Sequence, residues 1–442
     1  MKVLVVGGGA REHAICEAVK KSKDVDLFSV MHNRNPGILK LAKKAKIAKE
    51  TEIDKVVEFA LENEIDLAII GPEAPLEAGL TDALIEKGIK VSSPTRDAAR
   101  IETSKEWMRK LMEKYRIPGI VKYGVFNEIE DAKDFIDLLN GEVAVKPIGL
   151  TGGKGVRVYG DHFSSAEEAV RYAKEVIEKR IGGFPKVLIE EKMIGEEFTL
   201  QAFSDGKNIY PMPAVQDHKR LLPGDKGPNT GGMGSYSCED GLLPFLKKSD
   251  YEEGCFILQK VIEALNKEGC PFIGTIYGQF MLTAEGVKVI EINSRFGDPE
   301  AMNVLPLLKG DFVEICLSMA EGNLSEKKID FDGKATVCKY VVPEGYGTKS
   351  MENVPIEVNE KGISKTGALL YYASVNLKNG KVYTTKSRSL AIVGIGENVY
   401  EAERICEKGL EHVKGDHIFI RHDIGTRELI ERKVKRMKTL RG

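Results

Sequence analysis

Residues 275–302 read TIYGQFMLTAEGVKVIEINSRFGDPEAM. The two apolar runs around Ala284-Glu285-Gly286 predict a β-hairpin whose three-residue loop ends in a left-handed glycine. Because side chains alternate faces along a strand, Glu291 and Asn293 share one face, and the hairpin register places Gln279 opposite Glu291 on that face. Carboxylate and amide oxygens suit Mg²⁺ or Mn²⁺. The hairpin therefore predicts a metal site at Gln279, Glu291 and Asn293, with a solvated edge hairpin as the alternative.

The composition indicates an ordinary soluble chain with several domains. Its 442 residues exceed the size of one domain and predict roughly three. A formal net charge of -2 disfavours nucleic acid or a membrane surface as the main partner. The opening residues do not resemble a secretory signal, no run of about 18 apolar residues could span a bilayer, and the cysteines form no C-x-x-C pair. We predict a cytoplasmic protein with reduced thiols that is a monomer or a weak oligomer.

The first strand leads into a glycine-rich loop. Val3–Val6 is an apolar run typical of a parallel sheet, and Gly7–Gly9 follows it before a helix that extends to about Lys21. Backbone N–H groups of such a loop can bind an anion at the helix N-terminus, although a plain tight turn is an alternative. The dinucleotide fingerprint is incomplete because Glu12 stands where its third glycine belongs.

A second strand–helix pattern completes a small doubly wound α/β domain over residues 1–104. It comprises a helix at about 53–63, the strand Leu67–Ile70 and a further helix and strand. Ligands of such sheets bind beyond the carboxyl ends of the strands. The Gly7–Gly9 loop, an Asn35-Pro36-Gly37 turn and Pro72-Glu73 lie at that edge in this prediction.

A separate lobe is predicted at about residues 118–189, after a helix that carries Lys105. Its strand Val143–Pro147 includes Lys146, and the loop 149–156 contains four glycines and Lys154. We expect a mobile lid whose backbone amides surround phosphates while Lys154 supplies positive charge, with a plain hairpin as the alternative. The loop is not a Walker motif, because it lacks the Ser or Thr that would hold the metal.

Two further segments have the composition of ligand-binding loops. An apolar strand ends in Glu190-Glu191-Lys192-Met193, which could form an adenosine site through its backbone and a carboxylate, or a solvated acidic turn. The glycine-rich segment 213–236 carries Asp217 and Lys219. Groups of both signs suit a zwitterionic or phosphorylated substrate.

Residues 331–442 predict a small α+β domain. The predicted elements are strands at Ala335 to Val342, Leu369 to Leu377 and Ser389 to Ile395, and a helix from about Val399 to Lys414. The Lys/Arg-rich end is expected to be a solvated helix whose cations complement its C-terminus. Nucleic-acid binding by that end is an alternative that the balanced charge of the chain disfavours.

Six short motifs are distributed along the whole chain. They are Gly8-Gly9-Ala10-Arg11-Glu12-His13, Gly71-Pro72-Glu73-Ala74-Pro75, Gln216-Asp217-His218-Lys219-Arg220, Gly227-Pro228-Asn229-Thr230-Gly231-Gly232-Met233-Gly234, Arg295-Phe296-Gly297-Asp298-Pro299-Glu300-Ala301-Met302 and Arg421-His422-Asp423-Ile424-Gly425. Together they resemble the phosphoribosylamine–glycine ligases, a family of ATP-grasp enzymes in purine biosynthesis. Ala10 and the loop Gly149–Gly153 depart slightly from the pattern of that family.

The resemblance implies an ATP-grasp domain over residues 105–325, with the lid lobe inside it, between the two smaller domains. It also implies ligation of glycine to 5-phosphoribosylamine, through glycyl phosphate, to give glycinamide ribonucleotide, ADP and phosphate. For ATP, the resemblance implies that the phosphates are bound by Lys105, Lys146 and Lys154, the adenine by Glu190, Glu191, Lys192 and Met193, and the ribose by Glu197, while Asn229 contacts ATP or the metal. The metal would be bound by Gln279, Glu291 and Asn293. For the other substrates, Arg295 would contact the transferring phosphoryl group or the glycine carboxylate, Asp217, Lys219 and Gly297 would position the substrates, and Gly9, Gly37, Pro72 and Glu73 would contact the phosphoribosyl group.

Three alternatives remain beside this interpretation. Another ATP-grasp ligase or carboxylase, such as a formate-using or carboxyaminoimidazole-forming purine enzyme, would share the nucleotide site, but Arg295–Met302 and Asp217–Gly234 favour the glycine ligase. A nicotinamide oxidoreductase built on Gly7–Gly9 is disfavoured by the incomplete fingerprint. A non-catalytic nucleotide sensor is disfavoured by the predicted lysines and metal ligands.

Overall fold

A five-stranded parallel sheet forms the N-terminal part of the computed structural model, which describes residues 1–151 and 155–442. Its order is β3-β2-β1-β4-β5, and the connections between the strands include helices. The elements are β1 (Lys2–Val6), α1 (Ala10–Lys20), β2 (Asp26–Met31), α2 (Pro36–Leu41), β3 (Lys44–Ile47), α3 (Ile53–Glu62), β4 (Leu67–Ile70), α4 (Glu73–Glu77), α5 (Leu80–Glu86), β5 (Lys90–Val91) and α6 (Arg96–Thr103). The predicted α/β architecture is confirmed.

The loops after β2, β1 and β4 meet because these strands are neighbours in the sheet. The Gly8 carbonyl accepts hydrogen bonds from Asn33 Nδ2 at 3.2 Å and Asn35 Nδ2 at 3.0 Å. The turn predicted at Asn35-Pro36-Gly37 is wrong, since these residues begin helix α2. Asn35 Oδ1 caps that helix by accepting from the Gly37 and Ile38 amides, and proline at the first helical position needs no N–H partner.

An antiparallel sheet in the order β6-β9-β7-β8 lies in the segment predicted as the lid lobe. The strand at Val143–Pro147 has the predicted bounds. The elements are α7 (Lys105–Lys114), β6 (Tyr123–Phe126), α8 (Ile129–Leu138), β7 (Val143–Pro147), β8 (Arg157–Val158), α9 (Ala166–Glu178) and β9 (Val187–Glu191). Residues 152–154, which belong to the predicted lid loop and include Lys154, lie outside the described residues.

A second antiparallel sheet, in the order β11-β10-β16-β17, forms the centre of the chain. One of its faces packs Phe198, Leu200, Phe280 and Val289 into the largest hydrophobic core. The elements are β10 (Gly195–Asp205), β11 (Ile209–Pro211), β12 (Gln216–Asp217), β13 (Arg220–Leu222), β14 (Lys226–Asn229), β15 (Gly234–Ser237), α10 (Lys248–Lys267), β16 (Ile273–Thr283), β17 (Gly286–Asn293), α11 (Ala301–Val304), β18 (Leu308–Lys309), α12 (Phe312–Glu321) and β19 (Asp330–Phe331).

The hairpin β16–β17 has the predicted register at its functional end but a different turn. Gln279 pairs with Glu291 as predicted. The loop, however, contains only Ala284 and Glu285, because Thr283 already pairs with Gly286. A β-bulge at Ile290 inserts one unpaired residue and restores the register beyond it. The predicted three-residue loop is therefore wrong, and the bulge is the reason that the predicted pairing still holds.

The C-terminal part shares a sheet with the central part. Strands β12 and β15 continue the order β12-β15-β20-β25-β22, and β27 also pairs with β20. A small sheet in the order β23-β24-β21-β26 lies beside it. The elements are β20 (Ala335–Pro343), β21 (Pro355–Val358), α13 (Glu360–Lys365), β22 (Leu369–Tyr372), β23 (Val375–Lys378), β24 (Lys381–Thr384), β25 (Leu390–Gly396), α14 (Val399–Leu410), β26 (Val413–Lys414), β27 (Ile418–Ile420) and α15 (Arg427–Arg441).

Two predicted elements of this part are divided in the structure. The strand predicted at Leu369 to Leu377 breaks after Tyr372, where the carbonyls of Ala373 and Val375 accept hydrogen bonds from Asn33 of the N-terminal loops. The helix predicted to reach Lys414 ends at Leu410, because the following residues form β26 and pair with β21.

The basic end of the chain is not the fully solvated helix that we predicted. Helix α15 buries Ile430, Lys433 and Met437 at helical spacing. Arg441 at its end lies 2.7 Å from Asp250 of helix α10. One face of α15 therefore packs on the protein, while other cations of the helix, such as Arg427, remain exposed to solvent.

Within residues 1–151 and 155–442, no helix is both long and apolar enough to cross a bilayer. All seven cysteines are free thiols. The division at residues 1–104, 105–325 and 331–442 stays a prediction.

Candidate active site

The polar face of the central sheet carries the predicted metal ligands, and we call it the polar face below. Glu197 lies on β10, Gln279 on β16, and Glu291 and Asn293 on β17. Gln279 Nε2 donates to Glu197 Oε2, and Asn293 Nδ2 donates to Glu291 Oε1 at 3.3 Å. Lys219 Nζ, which approaches from the segment after β12, donates to Gln279 Oε1. The hydrogen bonds join Glu197, Gln279 and Lys219 in one group and Glu291 and Asn293 in another, and the charge of Lys219 acts on Glu291.

Glu291 is ionised because it lies among cations. Removal from water raises the pKa of this carboxyl, but Lys219, Lys105 and Lys146 lower it by more than burial raises it, so that the pKa is about 2. Lys219 in turn keeps its charge: burial lowers its pKa, yet the carboxylates around it, Glu291 first, raise the pKa above its usual value. The polar face thus places carboxylates beside ammonium groups, and a bound anion or cation would change the pKa values of both.

The predicted metal ligands are suitable for a hard divalent cation. Within the described residues, no group of three His, Cys, Asp or Glu side chains could hold a metal. Gln279, Glu291 and Asn293 instead offer one carboxylate and two amide oxygens. Mg²⁺ is commonly bound by one or two carboxylates together with phosphate oxygens of a substrate, so this set fits a metal that arrives with a phosphorylated ligand.

Two of the predicted phosphate-binding lysines lie close to Glu291. Lys105 Nζ donates to the Gly149 carbonyl at 3.1 Å, which ties the N-terminus of α7 to the start of the lid loop. Lys146 Nζ lies 2.6 Å from Glu190 Oε2. Both lysines are among the cations that lower the pKa of Glu291.

The Glu190 carboxylate forms ion pairs with side chains of the protein and is not free to bind a ligand. Its carboxylate lies between Lys146 and Arg109, each at 2.6 Å, and all three side chains are buried. Burial raises the pKa of Glu190, and the two cations outweigh this and lower the pKa to about 2. Glu191 accepts from the Lys122 amide, and Lys192 lies over the Tyr159 ring. Glu190 therefore fixes Lys146 as part of a buried ion triad.

Arg295 is held between two carboxylates. Its Nε lies 3.3 Å from Glu73 of the N-terminal region, and its Nη2 lies 2.9 Å from Glu102. Burial raises the pKa of Glu102. The other Glu102 oxygen accepts from the Ser294 amide and hydroxyl, both at 2.7 Å. Burial also acts on Glu73, but Arg295 and Arg11 outweigh it and lower the pKa of Glu73.

Asp217 has an unsatisfied carboxylate oxygen. Its Oδ1 is buried and has no hydrogen-bond partner within 1–151 and 155–442. Burial and the nearby Glu300 carboxylate raise the pKa of Asp217 well above its usual value. Glu300 accepts from the Tyr277 hydroxyl at 2.9 Å, and burial raises its pKa as well. Two buried carboxyl groups so close together disfavour each other's ionisation, and a cationic group bound beside them would relieve this.

Arg388 of the C-terminal part completes this region. Its guanidinium donates to the carbonyls of Gly231, Gly232 and Asp298, and lies 3.0 Å from the Asp298 carboxylate. A Cβ atom at Gly9 would lie 3.8 Å from the same carboxylate. The glycine loop of the N-terminal sheet, the segment before β15 and the C-terminal part therefore meet at Asp298.

The structure places the other predicted substrate residues in two groups. Pro72 caps helix α4, whose first residue Glu73 pairs with Arg295, and the Gly297 amide donates to Gln201 at 2.7 Å. Gly37 instead packs on the His13 ring, where a Cβ atom would lie only 1.9 Å from the nearest ring carbon. Together with His13 it lines a different cavity of about 360 Å³. Asn229 ends β14 opposite Arg220.

Comparison with known proteins identifies the N-terminal, central and C-terminal parts of the chain as domains of one family. Models of the phosphoribosylglycinamide synthetase family match the chain in order: the N domain over residues 1–102, the ATP-grasp (A) domain over 103–301 and the C domain over 336–427. The chain belongs to the phosphoribosylglycinamide synthetase family. The resemblance inferred from the sequence motifs is confirmed.

Individual relatives extend the match over the full length. The chain is 55% identical to a phosphoribosylamine–glycine ligase of Methanothermobacter thermautotrophicus and 50% identical to one of Methanocaldococcus jannaschii, with 100% of both chains covered in each case. Among solved structures, a phosphoribosylamine–glycine ligase of Thermotoga maritima has a TM-score of 0.80 at 28% identity, covering 96% of this chain and 100% of that one. The biotin carboxylase domain of a Hydrogenobacter thermophilus 2-oxoglutarate carboxylase shares the fold at 16% identity, with a TM-score of 0.74 and coverage of 99% and 93%.

Four charged residues that the structure places among the predicted site residues were absent from the sequence prediction. Glu300 lies inside the quoted 295–302 motif and could have been chosen as an additional acid. Arg109 lies four residues after Lys105 on helix α7, at a spacing that places both side chains on one face, whereas Glu102 lies on helix α6, which ends at Thr103. Arg388 has no local signal, because its position depends on the pairing of β25 with β20 and of β20 with β15.

Proposed function

We propose that this chain catalyses the ATP-dependent joining of glycine to 5-phosphoribosylamine, which gives glycinamide ribonucleotide, ADP and phosphate. The observation that carries the proposal is the ionised Glu291 on the polar face, beside two amide ligands and facing Lys105, Lys146 and Lys219. A site of this kind suits the reaction because two anions, the glycine carboxylate and ATP, must meet in the first step.

The residues have distinct duties in the proposed reaction. Mg²⁺ or Mn²⁺ held by Gln279, Glu291 and Asn293 would neutralise charge on the phosphates. Lys105 and Lys146 bind the ATP phosphates, as does Lys154 in this proposal. The remaining nucleotide contacts that we propose are the adenine at Glu190, Glu191, Lys192 and Met193, the ribose at Glu197, and ATP or metal at Asn229.

The chemistry proceeds in two displacements. A glycine carboxylate oxygen attacks the γ-phosphorus, the bond to ADP breaks, and glycyl phosphate forms. The amine nitrogen of phosphoribosylamine then attacks the acyl carbon, phosphate leaves with the electrons of the C–O bond, and the nitrogen loses a proton. Lys219 lies where it can offset the charge that develops on the transferring group. The lid lobe excludes water, which would otherwise hydrolyse the acyl phosphate.

The carboxylates of Asp217 and Glu300 are proposed to receive the glycine ammonium group. Asp217 Oδ1 is buried and lacks a partner among the described residues, and Glu300 lies close enough to raise the pKa of Asp217. A cation between the two carboxylates would give Asp217 Oδ1 a partner and would also offset the repulsion between the two groups. The ammonium of glycine would then be held while its carboxylate points toward the phosphates.

The phosphoribosyl group is proposed to bind beside the N-terminal loops. Gly9, Pro72, Glu73 and Gly297 are the proposed contacts, and contact of this group with Gly37, which lines the separate cavity beside His13, stays a prediction. Because its guanidinium already pairs with Glu73 and Glu102, Arg295 would contribute to binding mainly by fixing these loops and adding positive charge. We further propose that the chain acts in the cytoplasm, as a monomer or a weak oligomer, on small molecules and not on nucleic acid or membranes.

Omission of each substrate in turn tests the proposed function. We expect ADP release in a coupled assay only when ATP, a divalent metal, glycine and freshly prepared phosphoribosylamine are all present. Formate or bicarbonate in place of glycine should give no ADP above background, because neither carries an ammonium group for Asp217 and Glu300. Equal ADP release without glycine, or release only with formate or bicarbonate, would contradict the proposal.

Arg388→Met is expected to lower kcat/KM by about 10²-fold, because the guanidinium joins the Gly231 and Gly232 carbonyls to the Asp298 carboxylate and methionine can make none of these contacts. The same assay measures it. Lys386→Met is the matched control, since Lys386 lies two residues away, is largely exposed and pairs only weakly with Glu352 at 3.6 Å. Equal rates for Arg388→Met and the control would show that Arg388 does not organise the site.

A further inference from the structure

Lys433 on helix α15 places its ammonium between two carboxylates that are distant in sequence. Nζ lies 2.9 Å from Asp225 Oδ2 and 3.1 Å from Glu196 Oε2. Only 10% of the Lys433 side chain is exposed. An ammonium so far removed from water must be stabilised by its partners, and here one ammonium bridges both of them.

Asp225 is the centre of a larger ionic cluster. Its Oδ1 lies 3.0 Å from both His218 Nδ1 and Arg421 Nη1, and its Oδ2 lies 3.2 Å from Arg432 Nη2. Burial raises the pKa of Asp225, but His218 and Lys433 outweigh it and hold the pKa well below the usual range. The backbone of Asp225 has a φ of +57°, in the left-handed region that is unfavourable for a residue with a side chain. The cluster holds Asp225 in this conformation.

Both carboxylates bound by Lys433 are adjacent to residues of the site. His218, which Asp225 holds, lies between Asp217 and Lys219 in the sequence. Glu196 precedes Glu197, which accepts a hydrogen bond from Gln279 on the polar face. Lys433 therefore connects the segment that carries Asp217 and Lys219 to the strand that carries Glu197.

We propose that Lys433 is a positioning residue for the ligase reaction. Backbone hydrogen bonds between Val215 and Thr199 already join the chain just before the 217–219 segment to strand β10. Lys433 fixes the part that follows, so that Lys219 reaches Gln279 and Asp217 faces the glycine subsite. The inference rests on the proposed function, because it assigns glycine to Asp217. It gives the basic C-terminal helix a role within the site, in place of the solvated role predicted from composition.

Lys433→Met removes the bridging ammonium and keeps the apolar length of the side chain. Asp225 retains His218, Arg421 and Arg432, and Glu196 retains Arg436 at 3.1 Å, so the variant is expected to fold. Arg441→Gln is the matched control, because it removes another ion pair of the same helix, to Asp250, that touches neither carboxylate.

Two measurements separate positioning from general stability. We expect Lys433→Met to lower kcat/KM for glycine by about 10²-fold while the KM for ATP changes by less than about threefold, because Lys105 and Lys146 are untouched. Arg441→Gln should change neither value by more than about twofold. Hydrogen exchange of peptides covering residues 217–234 should be faster in Lys433→Met and unchanged in Arg441→Gln.

The exchange measurement needs no turnover, so it tests the inference even if the proposed function fails. Asp225→Asn should reproduce the faster exchange of the same peptides, since it removes the charge on the other side of the bridge. Unchanged exchange in both Lys433→Met and Asp225→Asn, or equal kinetic losses in Lys433→Met and Arg441→Gln, would overturn the proposal.

Discussion

Glu291→Gln is expected to lower kcat by about 10³-fold while the protein remains folded, because the change removes one charged metal ligand and keeps the size of the side chain. The carboxylate lies on β17 opposite Gln279 and next to Asn293 in the polar face. Its pKa of about 2 means that it carries a full negative charge at neutral pH. Glutamine can offer only an amide oxygen to the cation and leaves Lys105, Lys146 and Lys219 without this counter-charge.

A readout beside turnover distinguishes metal binding from other roles of Glu291. Electron paramagnetic resonance of Mn²⁺, titrated into protein with a non-hydrolysable ATP analogue, should show at least about tenfold weaker binding in Glu291→Gln. Glu285→Gln is the matched control on the same hairpin, because Glu285 lies in the exposed turn. Near-normal turnover and Mn²⁺ affinity in Glu291→Gln would refute its role as a ligand.

The sequence predicted the elements of the polar face better than the contacts that hold it. Strand alternation placed Gln279, Glu291 and Asn293 on one side because that rule is local. The register was right although the predicted loop was one residue too long, since the bulge at Ile290 compensated for the difference. Bulges depend on packing against neighbouring strands, and a single sequence has no rule for them.

Contacts between distant segments could not be derived in the same way. Arg388 reaches Asp298 only because the C-terminal sheet continues through β15 and β12 into the central part. Glu190 pairs with Arg109 because a buried carboxylate needs a cation, and the identity of that cation depends on the packing of α7 against the lobe. The charges of helix α15 alone predict a solvated helix, whereas Ile430 and Met437 at helical spacing indicate its buried face.

Lys219→Met is expected to lower kcat by about 10³-fold and to move the acidic limb of the pH profile to higher pH. Removal from water raises the pKa of Glu291, and Lys219 is the first of the three cations that bring it down to about 2. Without Lys219 the pKa of Glu291 rises, so this carboxylate becomes protonated at a higher pH. Activity that needs its ionised form is therefore lost earlier as the pH falls.

The two effects of Lys219→Met have a common cause that the pH profile can isolate. The variant also lacks the hydrogen bond from Lys219 to Gln279. Loss of this bond would lower the rate at every pH but would not move the acidic limb of kcat/KM. Lys226→Met is the matched control, since Lys226 is an exposed lysine of the same segment. A rate loss with an unmoved acidic limb would show that Lys219 acts through its contacts, with Gln279 or the substrate, and not through the pKa of Glu291. A shifted limb in Lys219→Met and not in Lys226→Met would place Lys219 in electrostatic control of Glu291, where the ionised carboxylate and its neighbouring cations determine whether two anions can meet.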